Sequence, residues 1–287
     1  MKNTRIKKFG YLIISSSLIF VFINSCTEVG PAIDLTETVY DTYIETPELP
    51  QDKIVLIEDF TGAACPNCPT AHEAIAAVID AHPDRVAAIA EYNYFADPLY
   101  LDQNFVTSEA LNLDQNYLGP VAGWPASFID RVDFDDDGYA AEVPGNIMPY
   151  TEDQLAKTPT CNIYILPDYN AATRELNLTV TIKYIADVSL TNHLSVALTE
   201  DSIIAAQIDG AGEVPDYVHN HVLRKMLSFY TGDALPEINS PGRVYVFNYN
   251  FTLPAGWNEN NIQAIAFVHN FETDNKEVVQ AGVTDIN

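Results

Sequence analysis

The chain has 287 residues, with 40 acidic against 14 basic side chains and a formal net charge of −26. So negative a chain repels phosphate, which argues against nucleic acid and anionic lipid surfaces as partners. Apolar and aromatic residues, at 47% and 11%, are plentiful enough for two domains with cores of their own.

Lys2, Arg5, Lys7 and Lys8 precede an almost unbroken apolar stretch over residues 11–23. A membrane-spanning helix needs about 20 apolar residues, so this shorter run predicts a signal peptide over residues 1–25. The following "INSC" (residues 23–26) resembles a bacterial lipobox, and that resemblance implies lipidation at Cys26. Asn24 stands where such boxes usually carry a small residue, and an ordinary signal peptide cut nearby is the alternative. Removing residues 1–25 takes the charge from −26 to about −30, because four cations and no acids leave. Residues 26–50 mix acids, threonines and prolines without a period, which predicts a flexible tether behind the lipidated cysteine. Thr27 in place of aspartate favours the outer membrane, facing either the periplasm or the surface.

Residues 51–157 alternate strand-like and helix-like runs. "KIVLIEDF" (53–60) predicts a buried strand. "PTAHEAIAAVIDAH" (69–82) predicts a helix, with apolar residues at helical spacing and Pro69 in the first turn. "RVAAIAEYNY" (85–94) predicts a second strand and "DQNFVTSEALNLDQNYLG" (102–119) a second helix. "ASFID" (126–130) predicts a third strand, and "MPYTEDQLAKTPT" (148–160) a last helix and hinge. This βαβ opening implies a layered α/β domain. Beyond residue 160 the helical signal gives way to strands at 161–169, 174–186, 193–204, 242–254, 261–270 and 276–286, separated by turn residues. That pattern predicts an antiparallel, immunoglobulin-like β-sandwich over residues 160–287.

Cys65 and Cys68 lie three apart between the first strand and the first helix, with Pro66 and Asn67 between them. A helix N-terminus favours thiolate over thiol. Cys65 would therefore sit exposed and attack, and Cys68, a turn further in, would resolve the mixed disulfide. Two other readings stay open. With His72 four residues after Cys68, the pair could hold a soft metal such as copper; otherwise His72 is an ordinary helix-flank residue. The pair could also be an inert structural disulfide in an oxidising compartment.

The stretch from Asp59 to Cys68 resembles the active-site region of the thioredoxin superfamily. That resemblance implies catalytic roles for Cys65 and Cys68, joined as a disulfide, with Asp59 as the buried acid that moves the inner cysteine's proton. Phe60 matches the core aromatic, while Ala64 stands where a tryptophan is usual. "GWPASFID" (123–130) resembles the cis-proline loop, which implies that Pro125 is cis and faces the disulfide. Trp124 would pair with a substrate chain, beside Pro66 and Asn67. Taken whole, the chain is similar to envelope lipoproteins of the outer-membrane-protein-twenty-eight-related family, which combine a thioredoxin-like domain with a β-rich one. The implied activity is thiol–disulfide exchange on exported proteins without a dissociable cofactor. Its direction, whether oxidant, reductant or isomerase, stays open. The alternative is a non-enzymatic outer-membrane lipoprotein whose β-sandwich binds a protein or glycan.

Three features lie outside that reading. Asp133, Asp135 and Asp137 open a calcium-type loop, but Pro144 stands where its last ligand is needed; an acidic turn is the alternative. Cys161 alternates with Ile163 and Ile165 and is expected to be a buried, inert thiol. His219 and His221, two apart, are expected to be surface polar residues.

Overall fold

The computed structural model describes residues 40–93, 105–136, 140–236 and 238–287. The signal peptide, Cys26 and Asp137 lie outside the described residues. Residues 38–287 form one compact unit. In chain order its strands begin with β1 (Tyr40–Ile44) and β2 (Val55–Thr61), followed by helix α1 (Cys68–Ala81) and β3 (Val86–Tyr92). Helix α2 (Ser108–Asn112) precedes β4 (Ala126–Ile129) and β5 (Ala141–Glu142), and α3 (Ile147–Leu155) follows them. From there the chain is almost all strand: β6 (Cys161–Asn170), β7 (Glu175–Tyr184), β8 (Asn192–Glu200), β9 (Ile203–Asp209) and β10 (Gly212–His219). The last are β11 (Val222–Met226), β12 (Asp233–Leu235), β13 (Arg243–Thr252), β14 (Ile262–Asn270) and β15 (Val278–Asp285).

Among the described residues the strands form a four-stranded sheet, a two-stranded hairpin and a nine-stranded sheet. The large sheet runs β15-β14-β8-β11-β3-β2-β4-β5, with β12 also on β8, and does not close into a barrel. β2 and β3 are buried along their whole length, as parallel strands covered on both faces must be. On one face Val55, Ile57, Val86 and Ala88 meet Ile75 and Val78 of α1 and Ile147 of α3. On the other, Leu56, Ala87 and Ile89 meet Leu223, Met226, Ile265, Phe267 and Ala281. The sheet coils until its β14–β15 end packs back over β2, which follows from the right-handed twist of its strands.

The four-stranded sheet, in the order β1-β13-β7-β6, packs its alternating apolar residues against β8 and β14. Leu176, Leu178, Val180, Ile182 and Tyr184 of β7 all point into this core, at the two-residue period of a strand with one buried face.

Four expectations change. Residues 40–50, predicted as part of the tether, are bound: β1 pairs with β13, the Glu45 amide donates to the Gly242 carbonyl at 2.9 Å, and Lys183 pairs with Glu45 and Glu48. Tyr40 stacks on Phe247 there, so two aromatic rings and a ladder outweigh the acidic, proline-rich composition. In the described part of the predicted helix over 102–119, the regular α-turns are Ser108–Asn112, started by the Thr107 hydroxyl, which caps them by accepting from the Ala110 amide at 3.0 Å. Wider π-helical turns continue from Leu113 to Leu118. Of the predicted helix-and-hinge stretch 148–160, α3 occupies only the part up to Leu155, as befits the restriction that Pro159 places on its predecessor. Finally, the large sheet crosses the expected boundary at 157–160, because β3 of the first half pairs in parallel with β11 of the second.

Candidate functional site

Strand β2 ends at Thr61, and the chain turns through a short loop into α1. The Cys65 amide donates to the Gly62 carbonyl at 3.1 Å and the Cys68 amide to the Cys65 carbonyl at 3.3 Å. Cys65 and Cys68 are joined as a disulfide with their Cα atoms 5.5 Å apart. Pro66 and Asn67 are exposed, but the sulfur-bearing residues are not: Cys65 is 3% exposed and Cys68 0%. The expectation of an exposed first cysteine is thus overturned. The cover is the β9–β10 hairpin, which residues 203–219 lay across the loop. Gln207 Nε2 donates to the carbonyls of Gly62 and Cys65 at 3.2 and 3.1 Å, and the Ile208 amide donates to the Ala63 carbonyl at 2.8 Å.

Beneath the disulfide loop, Asp59 lies in β2 with 1% exposure. Its Oδ1 accepts from the Ser127 hydroxyl of β4 at 2.7 Å, while Oδ2 has no hydrogen-bond partner. Burial pushes its carboxyl up to about 7, against which the Ser127 bond works weakly. His72, one turn into α1, places Nε2 3.7 Å from Asp59 Oδ2 and 2.9 Å from the Thr61 hydroxyl. Its Nδ1 is 2.9 Å from the Tyr217 hydroxyl of β10. Burial, with the nearby His219 and His221, pushes the imidazole down to about 3, so it is neutral. A cavity of about 190 Å³ opens here, lined by Asp59, His72, Ile75, Ala90, Tyr217 and His221 among others.

His72 is therefore part of the site and not a helix-flank residue. His219 is not on the surface either: it is buried at the end of β10 with Nδ1 2.6 Å from the Tyr92 hydroxyl, and it packs edge-on against Phe105. His221 lies past the strand at φ 58°, in the turn before β11, so the two histidines do not share a strand face. The Trp124–Pro125 bond is cis. Trp124 packs beside Phe60, Val121 and Phe128, and β4 begins directly after Pro125. Cys161 is a free, fully buried thiol, which burial pushes up to about 12.

In the described part of the acidic turn, a side chain of α3 meets the loop. Asp135 accepts from the Tyr150 hydroxyl at 3.2 Å, and Phe134 stacks on the Tyr150 ring. Among the described residues no three His, Cys, Asp or Glu side chains come together as a metal site, and Cys65, Cys68 and His72 do not form one.

The Ser127 and Thr61 hydroxyls, Gln207 and Tyr217 complete the site without having been singled out in the sequence. The hairpin itself carried a signal, since Gly210-Ala211-Gly212 sits between two runs containing β-branched and aromatic residues. Nothing local tells where such a hairpin docks.

Fold and site together define a mostly β protein in which a βαβ unit carries a disulfide loop at its helix N-terminus. The profile of the family described as Outer membrane protein Omp28 matches residues 112–286, and the chain belongs to that family. This places it at the outer membrane; among the described residues no helix is long and apolar enough to cross a membrane. The matched stretch begins after the disulfide loop, so Cys65 and Cys68 lie outside it. Among solved structures, HBP35 of Porphyromonas gingivalis is similar over 82% of this chain and 76% of its own, with a TM-score of 0.67 and 21% identity. An Agrobacterium tumefaciens protein is similar over 83% of this chain and 96% of its own, with a TM-score of 0.51 and 14% identity. A domain of the outer membrane lipoprotein Omp28 from Porphyromonas gingivalis aligns over 45% of this chain and 89% of its own, with a TM-score of 0.33 and 21% identity. No protein of curated function matches the chain.

Proposed function

We propose that this outer-membrane protein carries out thiol–disulfide exchange on exported proteins through Cys65 and Cys68. In this reading residues 51–157 supply a thioredoxin-like part and residues 160–287 an immunoglobulin-like part of one unit joined through the shared sheet, and Cys26 is the lipidated anchor. The observation that carries it is the pairing of a disulfide at a helix N-terminus with a buried, unpartnered carboxyl oxygen behind it. A partial positive helix end favours the thiolate of Cys65 as attacker. Asp59, whose carboxyl titrates near neutrality, suits the exchange of a proton with Cys68 at the pH of use. Pro125 and Trp124, with Pro66 and Asn67, present the surface on which a substrate chain lies. The chemistry needs no dissociable cofactor, and a cation at Asp133, Asp135 and Asp137 would be a separate matter.

One observation favours a second reading. Both cysteines are shielded, and a buried disulfide is what a purely structural role would show. The protein would then be a binding lipoprotein whose β-rich part takes a protein or glycan. Mass-tagging Cys65 and Cys68 across glutathione buffers separates the two. A midpoint between about −120 and −270 mV, the span of exchange enzymes, supports the redox reading. A pair that stays oxidised throughout leaves the structural one.

A further inference from the structure

We propose that His72 and Tyr217 form the proton outlet of Asp59, a relay that the C-terminal half of the chain supplies to the disulfide loop. The inference rests on the redox reading above and deepens it.

Asp59 is sealed from solvent, yet an acid that serves Cys68 must exchange its proton in every cycle. Its Oδ1 is engaged by Ser127 and its Oδ2 is bare, 3.7 Å from His72 Nε2, which rests on the Thr61 hydroxyl at 2.9 Å and must turn from it to Asp59 to take the proton. The other ring nitrogen of His72 meets the Tyr217 hydroxyl at 2.9 Å, and Tyr217 is half-buried at the cavity wall. The line Asp59–His72–Tyr217 therefore leads from the closed interior towards water. The neighbouring route is blocked, since the Tyr92 hydroxyl is tied to His219 at 2.6 Å and both residues are buried.

The groups around this line are Glu73 and the loop end of α1, Tyr217 and His219 of β10, His221 after it, and Tyr92 and Glu91 of β3. None of them is a cation at neutral pH, for burial keeps His219 and His221 low as well. An imidazole so placed does not carry the proton as a cation. It accepts at Nε2 while releasing at Nδ1, which a ring with both nitrogens engaged can do.

Before the resolving step Asp59 passes its proton through His72 to Tyr217 and out, leaving His72 with its hydrogen on Nε2. The Cys68 thiol then gives its own proton to the Asp59 carboxylate. The Cys68 thiolate attacks Cys65 Sγ, the Cys65–substrate S–S bond breaks, and the substrate sulfur leaves as a thiolate with the electron pair. The protein pair is oxidised by two electrons and the substrate disulfide reduced by two. When an external dithiol reduces the pair again, the inward proton travels the reverse way and restores the original tautomer.

The test uses the detergent-solubilised full chain, reduced and then mixed with glutathione disulfide, with closure of the mixed disulfide followed by mass-tagging from pH 5.5 to 9.5. Tyr217→Phe, which keeps the ring and removes the hydroxyl, and His72→Gln are compared with the unaltered chain. We expect either change to slow closure about tenfold at pH 6.5 and much less at pH 9.5, where hydroxide takes the Cys68 proton directly. Added imidazole is expected to recover rate in His72→Gln, which a merely structural loss would not allow. Profiles that coincide with the unaltered chain across the whole range would overturn the relay and leave the redox reading standing. An unaltered chain whose disulfide cannot be reduced at all would sink both.

Discussion

At the scale of single residues, Asp59 is the group whose surroundings say most about pH. Unfolded, its carboxyl titrates near its ordinary value of 3.8; folded, burial holds it protonated up to about 7. Between those values the native state binds a proton that the unfolded chain has lost, so stability falls as pH rises through this window. The contribution is complete below pH 3.8 and gone above 7. Asp59→Asn removes the titration while keeping an oxygen for Ser127. Urea unfolding should show the variant gaining on the unaltered chain as pH goes from 4.5 to 8, by about 3 kcal/mol, the part of a shift of roughly three pH units that falls within that range. A difference between the two that does not change with pH would contradict the protonated, buried state of Asp59. Another buried charge on β2, Glu58, is held differently: Arg131 grips both its oxygens at 2.6 Å. Asp59 has no such partner, and burial sets its protonation.

At the scale of elements, the β9–β10 hairpin lies over the loop of the buried disulfide. It belongs to neither large sheet, and Gln207 and Ile208 tie it to three carbonyls of the loop. Gln207→Ala would leave the Gly62 and Cys65 carbonyls without that donor, at a net cost of about 1.4 kcal/mol to the closed arrangement. That corresponds to a roughly tenfold larger open population, and so to a roughly tenfold faster reduction by dithiothreitol, measurable by thiol labelling. An unchanged rate would mean that attack does not wait for the hairpin. Of the elements on this side, α1 was legible from its apolar spacing, because Ala71, Ile75 and Val78 face β2 and β3 at helical period. The hairpin's docking was not legible, since its contacts run through one glutamine and backbone groups separated from the loop by more than 140 positions in sequence.

At the scale of the whole molecule, the two halves are held by one sheet and one core. Leu56, Ala87 and Ile89 from before residue 157 share a cluster with Ala197, Leu223, Ile265 and Phe267 from after it. β3 also loses its outer neighbour if β11 is removed. Residues 51–157 expressed alone should therefore expose this face and an open strand edge. We expect collapsed or aggregated material lacking the near-ultraviolet circular dichroism of the full chain. A well-dispersed NMR spectrum from that fragment would show instead that the first half folds independently.

The sequence by itself determined the local structures that repeat at short range: the buried runs of β2 and β3, the amphipathic α1, the alternation in β7 and β13, and the cysteine pair at a helix start. Each follows from periodicity or from a turn residue acting on its immediate neighbours. Tertiary structure alone decided what those elements meet. It bound residues 40–50 to β13, joined β3 to β11, buried His219, and laid a hairpin from the second half over Cys65. Such pairings depend on backbone hydrogen bonds and buried area between segments far apart in the chain, and neither quantity has a period that a single stretch of sequence can display.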